Sequence, residues 1–314
     1  MAKMITDTIG LDVSKEKLDV HRLSDGEFAQ FDNTVKGFKA FRKWATADSL
    51  VRVVYEATGP YHKAFERACG DNLPLVKVNP LQARRFAQAS GTRVKTDRVD
   101  ARMLALMGVA FDLVADKPLT KDQHDLKELH GARAALVKDK TRLLNRQKNL
   151  TLPLSRSQSE KRLAQVKKQI AELNEAIEAL LRADPVASRN IDILKSIPGI
   201  GAISAATILI EMPEIGTLTR KEAASLTGVA PMTRQSGKWQ GKSFIQGGRK
   251  TVRDALYMPA LVAARYNPDL KAKYDKMVAA GKPPKIAITA LMRKLIETGN
   301  ALIKVDRLWV EKCA

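Results

Sequence analysis

"MITDTIGLDVSKEKLDVHRLSDGEFAQFDNT", residues 4–34, decides how the first third of this chain folds. Ile5–Val13 is apolar around one central acid, Asp12. Lys17–Arg22 alternates polar and apolar side chains, and Ser24-Asp25-Gly26-Glu27 turns the chain into a third run, Phe28–Asn33. Short β-rich runs joined by a glycine-containing turn are antiparallel strands. The acid in the first of them is out of place. Burying an unpaired carboxylate is expensive, so Asp12 calls for a partner.

Beyond residue 34 the period changes. Val35 to Ala47 puts Phe38, Phe41 and Trp44 (or Ala45) on one helical face. "SLVRVVYEATG" (49–59) is a β-branched strand that ends in a second misplaced acid, Glu56. A helix near 61–70, a strand "PLVKVN" (74–79) and helices near 80–89 and 97–111 follow. Three antiparallel strands and then alternating helix and strand is the element order of an RNase H-like α/β domain. In that fold the strand ends bearing Asp12 and Glu56 are neighbours and face the final helix.

That helix opens with "KTDRVDARM", so Asp97 and Asp100 share one face of its first turn. Alone, the pair reads as a capped helix start, because acids favour helix N-termini and Thr96 or Asp97 can cap. Joined by Asp12 and Glu56, four carboxylates would repel one another unless cations were bound. An all-oxygen set suits a hard divalent ion, Mg²⁺ or Mn²⁺. Two such ions about 3.5–4 Å apart clamp the attacking and leaving oxygens of a phosphoryl transfer. Lys95, Arg98 and Arg102 then become candidates for holding a nucleic-acid backbone.

The 314 residues carry 54 Lys and Arg against 34 Asp and Glu, formally +20, with a pI near 10.0. Such an excess predicts a polyanionic partner, nucleic acid above all. The chain shows neither a run of about 18 apolar residues nor a basic-then-apolar leader, so no membrane partner is expected. Cys69 and Cys313 form no zinc framework and suit a reducing cytoplasm. His21, His62, His124 and His130 are scattered and read as surface residues without a role.

Three regions are expected: an α/β domain at 1–115, a helical connector at 116–188 and a mainly α domain at 189–314. In the connector Leu163, Val166, Ile170, Leu173, Ile177 and Leu180 step by 3 and 4. That is the seam of a coiled coil or of an antiparallel helical hairpin, with "TLPLSRSQS" (151–159) as the break between its arms. Residues 138–168 hold ten Lys and Arg against Asp139 and Glu160. This is either a solvated face or an arm turned toward nucleic acid. "ADPVASRN" (183–190) marks the next boundary. After it, Pro198-Gly199-Ile200-Gly201 fits a helix-hairpin-helix, in which Gly199 and Gly201 let the backbone approach a phosphate. A plain helical turn is the alternative.

"APMTRQSGKWQGKSFIQGGRKTVR" (230–253) holds Arg234, Lys238, Lys242, Arg249, Lys250 and Arg253, with no acid between 231 and 253. Ser236 lies among these cations. They could hold a phosphate under attack by its hydroxyl, or Ser236 could be an ordinary turn serine. Ser243 and Tyr257 are the neighbouring hydroxyls, and Trp239 could stack on a base or pack on the domain.

"IGLDVSKEKLDV", "YEATGPYHKAF", "VNPLQARRFAQASGTRVKTDRVDARMLA" and "SIPGIGAISAATILIE…LTGVAPMTRQSGKWQGKSFIQGGRKTVRDALYMPALVA" resemble the DEDD insertion-sequence transposases, the group that includes the Piv-type DNA invertases. The resemblance spans nearly the whole chain. It implies a RuvC-like N-terminal domain whose tetrad falls on Asp12, Glu56, Asp97 and Asp100. It also implies a C-terminal transposase domain whose nucleophilic serine maps to Ser236 and forms a covalent phosphoserine intermediate with DNA. Further implications are donor and target DNA as partners, a structured guide RNA as in some members, and a homodimer or homotetramer sharing its sites. A cytoplasmic, nucleoid-associated location follows. The rivals are a metal-dependent junction-resolving nuclease with water as nucleophile, and a nucleic-acid scaffold without catalysis.

Overall fold

The computed structural model of the chain describes residues 7–46, 51–57, 59–92, 94 and 96–311. Two compact units divide it, Met1–Thr120 and Lys121–Ala314.

The first unit is a five-stranded mixed sheet with helices on both faces. Its strands are β1 (Asp7–Val13), β2 (Lys17–Arg22), β3 (Phe28–Asp32), β4 (Val51–Glu56) and β5 (Leu75–Val78), in the order β3-β2-β1-β4-β5. The first three pair antiparallel, and β1–β4 and β4–β5 pair parallel. The helices are α1 (Val35–Ala45), α2 (His62–Cys69), α3 (Pro80–Ala89) and α4 (Asp97–Ala110). Period-two alternation splits the sheet's residues between two cores. Ile9, Leu11 and Val13 join Phe38, Phe41 and Phe65 of α1 and α2 on one face. Val54, Val76 and Val78 meet Ala83, Leu104 and Met107 of α3 and α4 on the other. On α1 it is Ala45 that is buried with Phe38 and Phe41, while Trp44 lies under the Arg22 guanidinium at 4.0 Å.

The second unit opens with α5 (Lys121–Gln147) and α6 (Pro153–Ala183), then α7 (Pro185–Ser196) and α8 (Ala202–Glu211). The heptad seam closes within the chain: Leu143 of α5 packs on Leu163 and Val166 of α6, with Leu136 and Ile170 alongside. The break between the arms is shorter than expected. Leu152 is extended and Pro153 occupies the first helical turn, a position where a missing N–H costs nothing. Most of 151–159 is therefore helix.

At 183–190, the stretch read as a boundary, one helix runs directly into the next. Asp184 ends α6 and caps α7, accepting from the Val186 N–H at 2.9 Å. Leu126, Ile177 and Leu181 of the hairpin share a core with Ile191 and Ile210 of α7 and α8. The connector and the C-terminal region thus form one unit. After α8 come α9 (Arg220–Thr227), four two-residue strands, β6 (Pro231–Met232), β7 (Gln235–Ser236), β8 (Trp239–Gln240) and β9 (Phe244–Ile245), and helices α10 (Lys250–Tyr266), α11 (Pro268–Ala279) and α12 (Pro284–Lys304). Ile193, Ile208, Leu256, Leu291 and Leu295 are among the buried centre of these helices.

Candidate active site

Asp12 and Glu56 stand at the C-terminal ends of β1 and β4. The parallel register pairs Leu11 with Tyr55, so Asp12 and Glu56 are the next residues along and share the sheet face covered by α4. The seat of α4 on that face is glycine. A Cβ on Gly10 would lie 1.8 Å from the Ala101 carbonyl oxygen and 2.5 Å from the Ala105 nitrogen. At the other end of the helix a Cβ on Gly108 would lie 2.7 Å from Val54 Cγ2. Beyond it the buried Arg52 donates to the Leu113 carbonyl at 2.5 Å and to Thr8 Oγ1.

The first turn of α4 is built around Thr96, whose hydroxyl accepts from the Val99 N–H at 3.3 Å. That cap leaves Asp97 and Asp100 on the helix start. The Asp12 carboxyl is pushed up to about 6, first by burial and then by the negative charges of Asp97, Asp100 and Glu56, against one lowering contact from the Val13 backbone. All three acids are thus close enough for their fields to be felt at Asp12. The donor chemistry, carboxylate oxygens only, suits a hard divalent ion. The spacing is looser than a ligand shell, since no three His, Cys, Asp or Glu side chains among the described residues are arranged to hold one ion.

A raised folded-state pKa carries a sign. Between the ordinary carboxylate value and about 6 the folded protein holds a proton that the unfolded chain has released. Asp12 therefore makes the metal-free protein less stable as pH rises through that window. Thermal midpoints in chelator from pH 4 to 7 are expected to show this downward contribution, and Asp12→Asn to remove it. An unchanged pH profile in Asp12→Asn would contradict the convergence of the four acids.

Lys95 lies outside the described residues. Arg98 rests over the Phe28 ring at 5.1 Å, and Arg102 is exposed on the same helix. His21 of β2 is held below its usual pKa by burial first and then by Arg102 and Arg98. His21, His62 and His130 are all buried, against the surface expectation. His130 bridges Glu211 at 3.1 Å and Thr207 at 3.2 Å. Sequence reasoning also passed over Asp19, which is buried opposite Asp12 in β2 and accepts from Gln30. An acid inside an alternating strand was the available signal.

Ser236 lies in the second unit, on a β-ribbon where a loop was expected. Pro231 pairs with Ile245, Met232 with Phe244, Gln235 with Gln240 and Ser236 with Trp239. Gly237, at φ 55°, takes the first place of the two-residue turn beyond Ser236, the place that a type II′ hairpin turn reserves for glycine. Ser236 is exposed beside that turn, with Lys238 and Lys242 exposed nearby. Trp239 is exposed too, and its ring lies against Gly241. Arg234 lies over the Phe244 ring at 4.8 Å.

The cations at the ribbon's base have protein partners. Arg249 donates to the Glu211 carbonyl at 2.7 Å and pairs with Glu214. Arg253 donates to the Gly247 carbonyl at 2.6 Å, and Lys250 pairs with Asp254. In the helix-hairpin-helix stretch Gly199 has φ 110°, and a Cβ there would meet the Pro259 carbonyl at 2.6 Å. Gly199 therefore closes the packing of α10 onto the turn, while Gly201 stands open at the start of α8.

Residues 9–152 match the family DEDD_Tnp_IS110, described as "Transposase". Residues 191–275 match the "Transposase IS116/IS110/IS902 family". The four carboxylates fall within the first match and Ser236 within the second. Over 95% of its length the chain is 29% identical to the pilin gene-inverting protein of Moraxella bovis, covering 96% of that protein. The pilin gene-inverting protein of Moraxella lacunata is similar to the same degree. An uncharacterized 43.6 kDa protein of insertion element IS110 from Streptomyces coelicolor is 31% identical over 45% of this chain and 35% of its own length.

Proposed function

The chain belongs to the IS110-type insertion-sequence transposases and is a DNA transposase/recombinase, and from that premise we propose that it cuts and rejoins DNA through a serine ester. In this reading the first unit is a RuvC-like domain. Asp12, Glu56, Asp97 and Asp100 hold divalent ions, Mg²⁺ or Mn²⁺, which when bound would offset the charge developing on the scissile phosphate. Ser236 Oγ attacks that phosphorus. The Oγ–P bond forms, the P–O bond to the leaving strand breaks, and the proton given up by Ser236 ends on the leaving oxygen. Lys238 and Lys242 face the phosphate. Attack by the hydroxyl of a second strand on the ester reverses these bonds and frees Ser236, so no outside energy source is required.

Donor and target DNA are the substrates. A structured guide RNA that pairs with both, and a homodimer or homotetramer in which carboxylates and serine meet from different subunits, complete the proposal. The enzyme works in the cytoplasm. No helix among the described residues is long and apolar enough to cross a membrane.

The observation that carries this reading is the placement of Asp12 and Glu56 at adjacent parallel strand ends, on the sheet face where Gly10 seats the helix whose first turn bears Asp97 and Asp100. Asp12→Asn combined with Asp97→Asn is expected to lower strand exchange by roughly three orders of magnitude while DNA binding is retained. Recombination at the parental rate in that variant would leave the acids a structural role only.

A further inference from the structure

We propose that the face formed by α9, α11 and α12 is a second nucleic-acid contact, a site for backbone phosphates organised around Glu297. The site lies apart from the Ser236 ribbon in sequence and goes beyond the proposed reaction. Glu297 of α12 is buried, 5% exposed, and its two oxygens are each taken by a different guanidinium. Arg293, one turn earlier on α12, donates its Nε–H to Oε1 at 2.6 Å. Arg220, at the start of α9, donates from Nη2 to Oε2 at 3.1 Å and is 71% exposed.

Each guanidinium spends one nitrogen on Glu297, and its remaining N–H groups have no other partner among the described residues. A guanidinium held this way presents a fixed fork suited to phosphate oxygens.

Two more cations join them. The Lys273 ammonium of α11 is held below its usual pKa by burial first and then by Lys294, Arg293 and Arg220, with Glu297 alone opposing. Its neighbours are therefore three like charges and one carboxylate. Counting Arg220, Lys273, Arg293 and Lys294 against Glu297 gives four positive charges and one negative, a surplus of three. Glu297 offsets only one of these four charges, although both arginines pair with it, so the cluster keeps a positive surplus. Their mutual repulsion is unfavourable in the free protein and is relieved by an anion. A backbone with a phosphate every few ångströms meets several of them at once.

DNA and RNA present the same phosphodiester, and the experiment separates them. Binding of a labelled DNA duplex and of a labelled RNA duplex is measured against salt for the full chain and for Arg220→Ala/Lys273→Ala/Lys294→Ala. A matched variant, Lys36→Ala/Lys39→Ala/Lys43→Ala, removes three exposed charges from α1. Each phosphate contact contributes about 0.9 to the slope of log affinity against log salt. The α9–α11–α12 variant should lose about 2.7 from that slope and bind at least roughly tenfold more weakly near physiological salt. A loss on DNA alone, or on RNA alone, supports the site and names its occupant.

Unchanged slope and affinity on both duplexes would overturn the site. So would an equal loss in the α1 variant, because net charge and not this face would then set affinity. At saturating DNA the variant should still form the Ser236 adduct. A failure of the serine chemistry would appear in that adduct and not in the slope.

Discussion

Ser236→Ala is expected to abolish the covalent protein–DNA adduct, lowering strand exchange by roughly three orders of magnitude or more, because the atom that would bond to phosphorus is gone. The fold should scarcely register the change. Ser236 is exposed on the β-ribbon, with no side-chain hydrogen bond to lose among the described residues. Such surface substitutions stay within about 0.5 kcal/mol. The ribbon's conformation rests on Gly237 in the turn and on the anchors at its base, Arg249 and Arg253, none of which the mutation touches. DNA affinity should be retained, since Lys238, Lys242 and the rest of the basic surface are intact. The measurement is denaturing electrophoresis of labelled cognate DNA after incubation with metal. Ser243→Ala is the control and should form adduct normally. An adduct persisting in Ser236→Ala would move the nucleophile elsewhere. Cleavage without any adduct in the parent protein would favour water as the attacking group, as in a junction-resolving nuclease.

The sheet and its acids were legible in the sequence for one reason: a carboxylate inside an apolar β-branched run contradicts its surroundings. Asp12 in "IGLDV" and Glu56 in "RVVYEATG" stood out that way, and the order of elements placed them side by side. Asp97 and Asp100 did not stand out, because two acids on the first turn of a helix are what a helix dipole already favours. Only their company gave them meaning. The β-ribbon around Ser236 was illegible because its strands are two residues long and nearly all of its side chains are exposed, so no alternation marks them. The merger of the connector with the C-terminal region was hidden for the opposite reason. Leu126, Ile177, Leu181, Ile191 and Ile210 are ordinary core residues, and nothing in their spacing says which helix each will meet. His130 was misplaced for want of a visible partner, since Thr207 and Glu211 lie about eighty positions away.

Gly10→Val is the second large effect, and it tests how the acids are brought together. A glycine within an apolar strand signals close approach of another backbone; here that backbone is α4, 1.8 Å from where a Cβ would stand. No rotamer relieves a collision with a helix carbonyl, so valine must lift α4 from the sheet. The far end of the helix cannot follow freely, because Gly108 is pressed on Val54 and Arg52 grips the Leu113 carbonyl and Thr8. The strain is therefore taken at the N-terminal half, where Asp97 and Asp100 are carried away from Asp12 and Glu56. Overpacking typically costs 1–3 kcal/mol, and a backbone collision belongs at the upper end, about 3 kcal/mol. Urea unfolding should show that loss, and adduct formation should fall with it even where the variant remains folded. The Asp12 carboxyl should also titrate closer to its ordinary value, as two of its three acidic neighbours withdraw. Gly131→Ala is the control: it lies on an exposed face of α5 with open space where its Cβ would be, and should stabilise the helix by about 0.5–1 kcal/mol. If Gly10→Val unfolds like the parent and still forms adduct, the helix is not seated through this glycine. The acids of α4 would then owe their position to something other than the sheet beneath them.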